Sequence, residues 1–153
     1  MYLSLNSGFL HIEMNACKAF VKCNWEVFIK NIVMELGFTS QNALKYMYNC
    51  KDHHKTWRLC ELILYSCTDE ILQPYTDENG DECSVNGFWQ WITSQNNQGK
   101  LSKNYVYVQE MTLDILIGIM LFRISIRRNN YEGKLFYHFT IKTFYNFRTF
   151  NYK

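Results

Sequence analysis

Residues Tyr105 to Arg128 read YVYVQEMTLDILIGIMLFRISIRR, and the folding of this stretch decides the architecture of the chain. It holds the longest uninterrupted apolar run, Ile115 to Phe122. Val108, Met111, Ile115, Gly118, Ile119 and Phe122 fall at three- and four-residue steps, and Leu116 and Met120 widen that stripe until little polar face remains. A helix that is apolar nearly all round belongs inside a bundle or in a membrane. The run between Asp114 and Arg123 is shorter than the roughly 20 apolar residues of a membrane span. The expectation is therefore a compact all-α bundle: one domain over residues 1–153, with a central apolar helix wrapped by shorter amphipathic ones. Three isoleucines in the run leave a strand as the minority reading.

Working outward, residues 1–12 read as an extended lead-in or a weak helix, and 13–23 as modestly helical. Asn24 reads as a cap. Behind it Trp25, Phe28, Ile29, Ile32, Val33 and Leu36 share one stripe, which Gly37 stops. Thr39 or Ser40 starts a short helix that buries Ala43, Leu44, Met47 and Tyr48. After the polar turn 49–55, Thr56 reads as the cap of a helix carrying Trp57, Cys60, Leu64, Cys67 and Ile71 at helical spacing. Pro74 reads as its end, and 75–84 as an acidic turn. Ser84 or Asn86 opens a short aromatic helix around Phe88 to Ile92. Trp89 and Trp91 cannot both face inward from it. Residues 94–104 read as a loop, and 134–152 as a closing helix whose composition also suits a strand.

Charge is unevenly distributed. No Lys or Arg occurs from Leu59 to Gly99, whereas seven basic residues lie between Arg123 and Lys153 against the single acid Glu132. The basic end either packs on the acidic segment or meets a partner. Its charges are too scattered for a nucleic-acid surface, and the acidic middle would repel a phosphate backbone. Six cysteines, at 17, 23, 50, 60, 67 and 83, match neither a zinc ribbon nor a redox pair. Without a signal peptide they read as reduced thiols of an intracellular, cytoplasmic protein.

Motifs for chemistry are weak. Cys50, His53, His54 and Cys60 are suitable zinc ligands, but the histidines sit in a polar turn and Cys60 on an apolar stripe. Asp77, Asn79 and Asp81 begin like a calcium loop, yet Glu82 and Phe88 occupy the positions that need Gly and Glu. His138 lies among aromatics. No GxSxG, HExxH, Walker or GxGxxG pattern occurs. No catalytic residue, metal or cofactor is expected, and a small metal-dependent or cysteine enzyme stays as an alternative.

Two segments resemble motifs of the Bcl-2 family of apoptosis regulators, especially its diverged viral members. Asp81 to Ile92 (DECSVNGFWQWI) is similar to the first homology region, with Asn86 at the family's Asn; Gly87, Phe88 and Trp89 stand where its Trp, Gly and Arg are expected. Asn129 to Phe139 (NNYEGKLFYHF) is similar to the second through Asn130 and Gly133. The resemblance implies a helical bundle whose surface groove sequesters the amphipathic pro-death helix (BH3) of a partner; no integral membrane span and no nucleic acid are expected, from the short apolar run and the scattered basic charges. It implies Trp57, Leu64, Asn86, Gly87, Phe88, Trp89 and Tyr137 as groove or rim, and Arg127 and Arg128 as the charges that meet a partner acid. Trp25 to Arg58 also resembles a death-fold module, through Leu36 to Thr39, which implies an adaptor or inhibitor in immune signalling. Exposed aromatics make a homodimer a further expectation.

Overall fold

The computed structural model describes residues 3–130 and 132–134, with side-chain surroundings from residue 8 onward. Every regular element among them is helical. In chain order these are α1 (Leu3–Asn24), a π-helical turn (Trp25–Ile29), α2 (Lys30–Glu35), α3 (Gln41–Tyr48), α4 (His53–Asn79), a 3-10 turn (Gly80–Glu82), α5 (Val85–Asn97), α6 (Lys103–Gln109), a second π-helical stretch (Glu110–Leu116) and α7 (Ile117–Arg127).

The decisive stretch is a continuous helix from Lys103 to Arg127, packed against α1 and α4. Leu116, Ile119 and Phe122 are buried, and Phe9 of α1 meets Phe122 edge-on at 6.0 Å. Full burial of each such side chain is worth about 1.5–3 kcal/mol. Gly118 is buried in its middle. The unbroken apolar run is short, but the 25-residue helix as a whole is long and apolar enough to cross a bilayer. Its buried face also carries polar Gln109, Thr112, Arg123 and Ser125.

The N-terminal third is more helical than its sequence suggests. Asn24 does not cap a helix: it is fully buried, and its side-chain amide donates to the Phe20 carbonyl at 2.8 Å and accepts from the Tyr107 hydroxyl at 2.8 Å. The helix passes through it with one wide π turn. Trp25, Ile29 and Val33 are buried as the stripe requires, while Leu36 is 47% exposed. Gly37, at φ +91°, ends α2 as expected: its N–H bonds Met34, and that of Phe38 bonds Val33. Ser40 caps α3 through the Ala43 N–H. Leu44 and Met47 are buried, but Tyr48 is exposed rather than core.

In α4 the cap is Asp52, whose carboxylate accepts from the Lys55 N–H at 3.1 Å. Thr56 lies inside the helix and bonds back to the Asp52 carbonyl. Pro74 does not terminate α4, which runs on to Asn79 and stops at Gly80 (φ +53°). A proline in a helix leaves the carbonyl four residues earlier, here that of Glu70, without its backbone donor. Here the Tyr105 hydroxyl donates to the adjoining Ile71 carbonyl at 2.6 Å. The acidic segment 75–84 is thus helix, 3-10 turn and a short connection rather than one turn. Ser84 caps α5, which extends through Asn97 and takes in residues 94–97, read above as loop. Trp89 is 43% exposed, whereas Trp91 turns inward and donates to Glu78 at 2.6 Å. The closing segment 135–152 lies outside the described residues.

Candidate functional site

An apolar surface depression lies between the end of α2, α3 and α4. It encloses about 290 Å³, with Leu36, Phe38, Met47, Leu59 and Leu62 along it and His54, Lys55 and Arg58 on the α4 side. Gly37 turns the chain so that Leu36 and Phe38 form one wall; the Ser40 cap then sets α3 so that Met47 faces the floor. Leu62 is 46% exposed, and Tyr65, one turn further along α4, is 70% exposed. Arg58 donates to Glu61 at 2.7 Å, and Trp57 donates to the other Glu61 oxygen at 2.6 Å. The Arg58 guanidinium, aided by the Trp57 indole, holds the Glu61 carboxyl below its usual range. Lys55 lies 5.3 Å from the Tyr46 ring centroid. The rim thus carries Lys55 and the Arg58–Glu61 pair above an apolar floor.

Behind Trp57 lies a polar knot in the interior. Arg123 donates to Glu13 Oε1 at 2.9 Å, His53 Nε2 lies 3.2 Å from the same oxygen, and the Arg123 guanidinium stacks 3.8 Å from the Trp57 ring centroid. The paired charges tie α1, α4 and α7 to one another. Burial raises the cost of leaving either charge alone.

The sequence-derived site residues fall into separate groups. Trp57 is half-buried under Arg123, and Leu64 lies on the same helix at the edge of the core. Phe88 is buried against Tyr75 at 5.7 Å, in the first half of α5, with Asn86 exposed beside it. Gly87 is a close-approach position, because a Cβ there would collide with the Tyr75 hydroxyl. Trp89 faces outward beside Gln90, Thr93 and Asn97, along an open α5 surface. Tyr75 lies eighteen residues beyond Trp57 in α4, about 27 Å along a helix. The α5 residues and Trp57 thus sit toward opposite ends of α4. Arg127 and Arg128 are exposed at the end of α7, about a turn beyond the Arg123 that covers Trp57. Tyr137 lies outside the described residues, as does His138. None of the described partner-binding candidates lines the α2–α3–α4 groove; of its residues, the sequence reading took Leu36 and Met47 as core, His54 as a possible zinc ligand and Leu36 to Thr39 as a death-fold resemblance. Leu62 was the available signal: with Tyr65 it puts apolar side chains on the side of α4 away from its Cys60–Cys67–Ile71 stripe.

All six cysteines are free thiols. Cys17 and Cys60 are fully buried and share a hydrogen bond, which together with burial pushes the Cys60 thiol well up. Burial also raises Cys50 and Cys67. A raised thiol carries little of the thiolate that nucleophilic chemistry needs. Among the described residues, no three His, Cys, Asp or Glu side chains are grouped to hold a metal ion. Comparison of the chain with family models, with curated proteins and with solved structures yields no match.

Proposed function

We propose that this chain is a protein-interaction module that seats an amphipathic helix of a partner in the α2–α3–α4 groove. The supporting observation is the pairing of an open apolar floor, with Leu36 and Leu62 about half exposed, with a rim of Lys55 and Arg58. A guest helix fills such a floor with side chains at i, i+3, i+4 and i+7. The basic wall on α4 favours acidic residues along one flank of that guest. The Bcl-2-like resemblance supplies the candidate partner, the BH3-type helix of a pro-apoptotic protein, and with it a role in regulating cell death.

Fluorescence anisotropy with a panel of labelled pro-apoptotic helix peptides tests this. Micromolar or tighter binding is expected for at least one peptide, weakened at least about tenfold by Leu62→Glu, which puts a charge on the floor. Silence across the panel, or affinity indifferent to both Leu62→Glu and Leu36→Glu, would overturn the reading.

A further inference from the structure

We propose that a second depression, between the first π-helical turn and α3, is a binding site for a phosphate monoester. It encloses about 750 Å³ and shares no lining residue with the helix-binding groove. That volume is in the range of small-ligand pockets, roughly 300–1,000 Å³.

Its charge is unbalanced. Lys22, Lys30 and Lys45 line it against one carboxylate, Glu26, which Lys30 already engages at 3.1 Å. Among the described residues, neither Lys22 nor Lys45 has a carboxylate within ion-pair distance. The excess of two positive charges matches the charge of about −1.5 to −2 on a phosphate monoester at neutral pH. Lysine ammoniums serve phosphate as point charges. Gln41 and Asn42 add side-chain amide donors at the start of α3.

The remaining wall is aromatic. Tyr48 is 38% exposed, stands edge-on to Trp25 at 5.4 Å, and has the Lys22 ammonium 5.4 Å from its ring centroid. The organic part of the ester would lie against Tyr48, with its phosphate between Lys22 and Lys45. Trp25 and Glu26 reach the cleft from a π-helical turn, a rare departure frequent at functional sites.

The ester could be a soluble metabolite or the headgroup of an anionic lipid, and two probes separate these sources. Phenyl phosphate is titrated by calorimetry; flotation uses vesicles of phosphatidylcholine containing phosphatidic acid. Saturable binding of either probe supports the site and identifies its source. The Lys22→Gln/Lys45→Gln double variant should bind at least about tenfold more weakly with an unchanged melting temperature, while Lys103→Gln on α6 binds like the parent. Absence of binding to both probes, affinity untouched in the double variant, an equal loss in Lys103→Gln, or equal affinity for benzoate would each overturn the proposal. Because helix-peptide binding depends on different residues, failure here leaves the groove reading standing, and the reverse also holds.

Discussion

Glu13 and Arg123 meet at 2.9 Å across the interior of the bundle, 110 residues apart in sequence, with side chains 1% and 10% exposed. Removing one partner strands a charge in a low-dielectric interior. Glu13→Leu or Arg123→Met alone should destabilise the fold by about 3–5 kcal/mol, and the double variant Glu13→Leu/Arg123→Met by less than the sum. Urea unfolding of the four proteins checks this. Additive losses would mean that the two side chains do not act as a pair.

Gly87→Ala should cost about 1–3 kcal/mol, because the added methyl meets the Tyr75 hydroxyl. That hydroxyl is held in place by the Ser84 N–H at 3.1 Å and the Ser84 carbonyl at 3.3 Å, so it cannot simply swing aside. Adding Tyr75→Phe should recover part of the loss. Thermal melts of the single and double variants decide the matter; a Gly87→Ala protein as stable as the parent would place Tyr75 elsewhere.

Asp52 couples α4 to pH. The Lys55 N–H it accepts lowers its folded-state pKa. A carboxylate depressed on folding contributes stability above its unfolded value, about 3.9, and loses that contribution as pH falls through the lower folded value. Asp52→Asn keeps a neutral cap. The stability gap between parent and variant should therefore shrink below about pH 4. A gap constant from neutral pH into the acid range would count against the assignment.

Thiol reactivity should divide by burial. Cys23 and Cys83 are exposed, while Cys17, Cys60 and Cys67 are buried. Ellman titration of the native protein should show these two reacting fast and Cys50 more slowly, with the buried three appearing only after unfolding. Rapid labelling of Cys60 in the native state would contradict its position between α1 and α4.

The central helix was legible because an apolar run at helical spacing leaves few alternatives. The stop at Gly37 was legible because its chemistry is local, and for the same reason the caps were narrowed to Thr39 or Ser40 and to Ser84 or Asn86, of which Ser40 and Ser84 serve. Asn24 was not: the same amide that caps a helix from outside can also serve a buried carbonyl and a tyrosine hydroxyl 83 residues away. Pro74 was misjudged because a proline removes one hydrogen bond but does not end a helix whose flanking residues, here Ile71 and Tyr75, are buried in the core. Glu13 looked like one polar residue in a modest helix until Arg123 was placed beside it. The groove was least legible, because Leu36, Phe38, Met47 and Leu62 form one surface only after three helices converge.

The wide turn at Trp25–Ile29 also fixes a phase. Each residue of a helix advances the direction of its side chains by about 100°. A π turn takes about one residue more than an α turn to come round, so excising one residue at Trp25–Ile29 would tighten it to α-helix and leave Val33 near its present direction. The same loss within α2, which has no spare residue, would turn Leu36 by about 100° away from α4. A shortening by a single codon would thus be absorbed at the wide turn and felt one turn later.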